Sequence, residues 1–167
     1  QGSGGYSDKF TFDNDGLKFG SDTAAANALY DYEEGNWTPT WYGSSSGTGT
    51  LFTTSSNVAT YIKIGKIVHV RAFAVFTNLN SASGTFKIGG LPTSNSGSYN
   101  VTSSVRIDNY ESGGGYNGEH ISVYFSDGNT VGTWQHQDDD GSVADISVSD
   151  IKGSTNIMFN ATYEDWW

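Results

Sequence analysis

No cysteine occurs among the 167 residues, and there are only two prolines and one methionine. Without thiols there is no disulfide, no thiolate nucleophile and no cysteine-built zinc site. Basic residues are scarce as well: 8 Lys and Arg stand against 18 Asp and Glu, a formal charge of −10 at pH 7. A surface of that sign repels phosphate backbones and anionic lipid, which excludes nucleic acid and membrane insertion. No apolar run approaches the roughly 20 residues that span a bilayer as a helix. Apolar content is 35%, low for a chain that completes its own core, so neighbouring subunits are expected to finish part of it.

What the chain does have is 22 glycines and many aromatics, five Trp, ten Tyr and nine Phe. That mixture suits short strands joined by tight turns. Phe10, Phe12, Leu17 and Phe19 flank the turn Asp13-Asn14-Asp15-Gly16, which predicts two short extended pieces. A short helix is expected next, capped by Ser21, Asp22 or Thr23 and ended by Gly35, with Ala25, Leu29 and Tyr32 on one stripe. A helix of about ten residues is marginal alone in water. Its stripe must therefore dock on its own sheet or meet two other copies on a threefold axis.

From Asn36 onward the period is two. Trp37 to Tyr42 reads as a strand begun at a proline, and Gly43 to Gly49 as a Ser/Gly loop. Val58 to Thr77 is the strongest hairpin, turned at Gly65-Lys66, with Val68, Val70, Ala72, Ala74 and Phe76 sharing one face. Phe73 and Val75 make its far end apolar on both faces, which predicts burial between layers or at a subunit interface. Phe86 and Ile88, then Val101 to Ile107, Ile121 to Phe125, Val131 to Gln135 and Ile157 to Tyr163 supply further strands, and Ile146 to Gly153 one helical or irregular turn. The fold predicted is all-β: a jelly-roll-like antiparallel β-sandwich with one short N-terminal helix, assembled as a homotrimer. Residues 1–7, opening Gln-Gly-Ser-Gly-Gly, read as a linker remnant of a protease site. Residues 8–35 form an extended segment with the trimerisation helix, and residues 36–167 the sandwich head.

Chemistry-bearing patterns are weak. Gly43-Ser-Ser45-Ser-Gly47 matches G-x-S-x-G but lacks the helix that a nucleophile elbow requires, and reads as loop filler. His69, His120 and His136 are too far apart for a metal motif, with His69 on a strand surface beside Arg71. Asp13 to Gly16 and Asp138 to Gly141 offer hard oxygens for calcium, yet the glutamate that closes an EF-hand loop is missing from both. They read as solvated turns, and no metal or cofactor is expected. Glu33/Glu34 and Glu111/Glu119 are the pairs nominated for glycoside hydrolysis, a reaction needing two carboxylates across a groove. The chain is read as a non-enzyme.

One stretch is more specific. Tyr30-Asp-Tyr-Glu-Glu-Gly-Asn-Trp-Thr-Pro-Thr40 resembles the D-x-Y-E-E-G-x-W-T-P-T motif that leads into a domain at the C-terminal ends of bacteriophage tail fibres and tailspikes. Gly16-Leu-Lys-Phe-Gly20, Tyr61 to Gly65 with Val68 to Val70, Ile88 to Pro92 and Ala161 to Glu164 resemble the same domain in order and spacing. The resemblance implies a trimer on the virion surface at the tip of a fibre, joined to an upstream shaft and binding a host-surface glycan or protein. Two alternatives remain: a module that trimerises and registers the fibre, or an accessory domain of a polysaccharide-degrading tailspike. The trimer seam is expected at Ala25, Leu29, Tyr32 and Phe73. Tyr99 to Gln137 matches no such pattern, so receptor contacts are expected there: Tyr110, Tyr116 and Trp134 as aromatic platforms, with Asp108 and Asn117 as acceptors.

Overall fold

The computed structural model describes residues 10–20, 23–24, 28–29, 31–46, 52–110 and 120–165. In chain order the strands are β1 (Phe10–Asp13), β2 (Gly16–Phe19), β3 (Tyr32–Asn36), β4 (Thr40–Gly43), β5 (Thr53–Ile64), β6 (Ile67–Asn78) and β7 (Phe86–Gly89). They continue with β8 (Val101–Thr102), β9 (Ser104–Tyr110), β10 (His120–Phe125), β11 (Gly132–Gln137), β12 (Val143–Asp145) and β13 (Ile151–Glu164). β1 and β2 pair as a separate hairpin. One sheet runs β4-β7-β11-β10-β8 with β12 beside β11, and the other runs β3-β5-β6-β13-β9. All strand pairs are antiparallel.

Alternation explains which sheet face is inward. Val68, Val70, Ala72, Ala74 and Phe76 of β6 are all buried, as their period-two spacing predicts. Gly65 turns the β5–β6 hairpin at φ +56, a conformation that glycine adopts without strain. Across the core, Trp41 and Trp134 of the other sheet meet Phe159 of β13, and Phe86 meets Phe76 of β6. Phe86 and Trp134 stack at 5.0 Å between ring centroids, and Trp41 and Trp134 each stand edge-on to Phe159 at 6.3 Å. This aromatic block ties the two sheets into one core.

Three expectations are corrected. Among the described residues there is no α-helix: Leu29 bridges Leu17 in extended backbone, and Tyr32 to Asn36 pair with Ile64 to Thr60. The i, i+4, i+7 spacing of the expected stripe is overridden by pairing to β5; Ala25 itself lies outside the described residues. The Trp37 to Tyr42 strand begins only at Thr40, because the Trp37 indole folds inward and donates to the Thr60 carbonyl at 3.2 Å. The run Val101 to Ile107 is two strands, since the chain leaves one sheet and joins the other at Ser103. There the Ser103 N–H donates to the Val123 carbonyl, and its Oγ accepts from the Val123 N–H, both at 3.0 Å. The turn expected within Ile146 to Gly153 is a 3₁₀ turn, Val148–Asp150, capped by Ser147.

At one end of the five-stranded sheet, inward-facing Lys63 is 7% exposed. Its Nζ lies 3.0 Å from an Asp31 oxygen and 3.2 Å from an Asp165 oxygen, so its pKa is raised above the usual lysine value. In the same row, across Val68, burial pushes the Tyr163 phenol up to about 12, against an ordinary 10.0. Both shifts act in the same direction. Above pH 10 the unfolded chain sheds these protons before the folded one, so stability is full below that pH and falls as the pH climbs towards 12. The tyrosine alone should account for on the order of 2 kcal/mol between those limits. Urea midpoints measured across this range should fall, and Tyr163→Phe should flatten the fall; a slope unchanged by that substitution would contradict the assignment.

Candidate interaction surface

The outer face of the five-stranded sheet carries a cluster of exposed apolar side chains. Outward side chains fall in rows fixed by the strand register. At the turn end, Tyr32, Ile64, Ile67 and Glu164 form one row, and Glu34, Ile62, His69 and Thr162 the next. Further along come Thr60, Arg71, Asn160 and Ser104, then Val58, Phe73, Met158 and Arg106. Tyr32 is 59% exposed and Ile64 48%, with Ile62 and Ile67 close behind. Single exposed apolar residues are ordinary, but here they cluster over three adjoining strands. The β1–β2 hairpin adds Phe10, Phe12 and Phe19, each more than half exposed. Phe10 and Phe19 are cross-strand partners, and the Phe10 and Phe12 rings meet edge to face at 6.0 Å.

The structure disperses the residues expected to form the receptor site. Trp134 is fully buried on β11 in the aromatic block, which removes it from any contact surface. Tyr110 ends β9 half-buried against the core, opposite Ile151. Asp108, also on β9, lies on the outer face and accepts from Arg106 Nε at 3.2 Å. Tyr116 and Asn117 lie outside the described residues. Of the expected seam, Leu29 sits beside the β1–β2 hairpin, Tyr32 heads the apolar rows, and Phe73 lies half-buried midway across the face.

The weaker motifs also find their places. Ser44 and Ser46 of the G-x-S-x-G match use their hydroxyls to accept from the Thr85 and Ser83 backbone amides, at 2.9 and 3.0 Å. Glu33 and Glu34 point to opposite faces of β3, towards the Tyr61 and Tyr32 hydroxyls, so they do not flank one bond. Glu111 and Glu119 lie outside the described residues. In the first Asp-rich turn the Lys18 ammonium bridges Asp13 and Asp15 at 2.8 and 2.7 Å, and Lys18 holds the Asp13 carboxyl below its usual range. In the second, Asp138 accepts from Ser142 Oγ and faces His136 Nδ1 at 2.9 Å, while backbone and side-chain bonds from Ser142 lower the Asp140 pKa. No group of three or more His, Asp or Glu among the described residues is arranged to hold a metal. The apolar rows and the two arginines were the parts that the sequence reading missed. Their signal was present in the outward set of the β5–β6 hairpin, Val58, Ile62 and Ile64, which is as apolar as a buried set.

No protein-family model matches the chain, and no curated protein matches it. Among solved structures it is similar to the Dettilon tailspike protein (gp208), with a TM-score of 0.61 and 18% identity over 83% of this chain. The match covers 25% of the tailspike chain, so this chain corresponds in fold to about a quarter of that protein.

Proposed function

We propose that the chain is the distal domain of a bacteriophage tail fibre or tailspike, a homotrimer that attaches the virion to a host-surface glycan without cleaving it. The observation that carries this reading is the fold shared with a tailspike over most of the chain. It joins the lead-in motif around Glu33 to Thr40 and the jelly-roll-like sandwich expected from the strand pattern. The domain then sits outside the cell at the tip of the virion tail, behind an upstream shaft.

A second role, trimerisation and registration of the fibre, is favoured by the apolar rows on the outer sheet face. Tyr32, Ile62, Ile64 and Ile67 are already paired along their backbones, so their exposed side chains await a surface rather than a strand. A second copy fits. A neighbouring copy carries the same exposed apolar side chains to lay against this one.

The experiment is a pair of measurements on the 167-residue chain. Light scattering at micromolar concentration should give three times the monomer mass, and labelled protein should decorate cells of a susceptible bacterial strain. Ile64→Glu leaves the monomer fold nearly untouched because the site is exposed, but places an unpaired charge in the seam. It should weaken association by at least about tenfold, for a penalty of one buried unpaired charge. A stable wild-type monomer would remove the trimer, and a trimer that decorates no strain in a broad panel would leave only the assembly role.

A further inference from the structure

The chain contains two arginines, Arg71 and Arg106, against 18 acidic residues. Both line one groove of about 420 Å³ on the outer face of the five-stranded sheet. Arg71 stands on β6 and Arg106 on β9, with β13 between them. They are thus two strands apart, about 10 Å, and one pleat row apart along the strands. Asn160 and Ser104, both exposed, complete the Arg71 row, and Met158 and Phe73 complete the Arg106 row. In these two rows and those flanking them, from Ser56 and Val75 at one side to Ile62 and Thr162 at the other, the carboxylates are Asp108 on β9 and Glu34 on the β3 edge, and neither Arg71's row nor Arg106's holds one.

We propose that this groove binds an acidic saccharide, one carrying a carboxylate or phosphate on its ring; the inference rests on the adhesion reading above. Charge complementarity selects the ligand. Most of this protein's surface repels anions, and the groove is where its arginines are gathered. Arginine presents a planar fork of donors that matches a carboxylate or phosphate, whereas lysine is a point charge. Neither fork is consumed locally. Arg71 gives one Nη2 bond to Thr60 Oγ1 at 3.3 Å, and Arg106 gives Nε to Asp108 at 3.2 Å. The Arg106–Asp108 pair is exposed, and such pairs contribute little on their own. Asp108 fixes the orientation of Arg106 and leaves the outer edge of its guanidinium to a ligand. Asn160 and Ser104 offer donors and acceptors to sugar hydroxyls, and Met158 and Phe73 offer apolar surface to ring C–H groups.

The test titrates the full 167-residue chain, at low salt, with a galacturonic acid trimer, a mannose 6-phosphate glycoside and a neutral galactose trimer. The expected result is binding of at least one acidic probe, with the neutral probe at least about tenfold weaker, as the loss of an arginine–anion pair dictates. Which acidic probe binds distinguishes carboxylate from phosphate. Arg71→Ala and Arg106→Ala should each weaken that probe by about tenfold or more, Arg71→Lys by less, and added salt should weaken it further. Light scattering should show the same mass for all three variants. The proposal is overturned if the neutral probe binds as well as the acidic ones, if neither acidic probe binds, or if the alanine variants lose association instead of ligand. Wild-type protein that decorates cells but ignores both acidic probes overturns the groove and leaves the adhesion reading standing. Protein that binds an acidic probe but no cell supports the groove and overturns that reading.

Discussion

Trp134→Ala should lower the melting temperature by about 6–20 °C, the equivalent of about 3–5 kcal/mol in a domain of this size. The indole is fully buried, stacks on Phe86 at 5.0 Å and touches both Trp41 and Phe159, so its removal opens a cavity where the two sheets meet. Trp134→Phe should cost much less. It keeps most of the ring stack and removes a buried Nε1 donor that has no partner among the described residues. Calorimetry on the two variants checks this. An alanine variant that melts with the parent but fails to bind cells would return Trp134 to the surface.

That residue shows where the sequence became unreadable. The inward positions of β11 are Gly132, Trp134 and His136, all buried, and the strand's other positions are Thr133, Gln135 and Gln137. A period of two is present, but only one inward residue is apolar, so the strand reads as a polar segment with a stray aromatic. The glycine is there for space: a Cβ at Gly132 would lie 2.5 Å from Val123 Cγ1 and 2.6 Å from Phe125 Cε1. The inward histidine is held by Asp138. The β5–β6 hairpin was legible for the opposite reason, with five consecutive inward apolar positions and a glycine at the turn. The expected helix failed because spacing along one segment says nothing of the five-residue ladder that Tyr32 to Asn36 makes with β5. For the candidate site, the structure places Tyr32 and Phe73, nominated for a trimer seam, and Asp108, nominated as a receptor contact, on the outer face, but sequence did not show that Arg71 and Arg106 would share a groove. That fact depends on β13 lying between their strands, and local pattern does not encode strand order.

Lys63→Met should destabilise the domain by about 3 kcal/mol, or about 6–12 °C in melting temperature. Methionine keeps the apolar stem and removes the charge, which leaves the Asp31 and Asp165 carboxylates facing each other without a counter-ion in a largely buried place. The loss comes from stranded charge, not from lost packing. Adding Asp165→Asn to Lys63→Met should therefore recover part of it. A double variant less stable than Lys63→Met by the full cost of Asp165→Asn alone would show that the three side chains are not coupled. The same contacts hold Asp31, just before β3, and Asp165, just after β13, to the β5 strand, so the variant should also loosen the start of β3 and the end of β13.

β13 has a consequence for the order in which the chain is made. It is the last strand in sequence among the described residues, yet it lies inside its sheet, paired to β6 along nine positions and to β9 on its other side. β9 has no other partner in that sheet. Until Glu164 has left the ribosome, β5 and β6 form a hairpin with one unpaired edge, and the aromatic block lacks Phe159. Such pairing is remote in sequence and slow to form. A chain that stops before Asn156 would expose an open strand edge and an incomplete core, the species most prone to aggregate. Production of this domain should therefore be all or nothing, with early-terminated chains cleared as misfolded protein and only chains translated through Glu164 reaching the soluble pool.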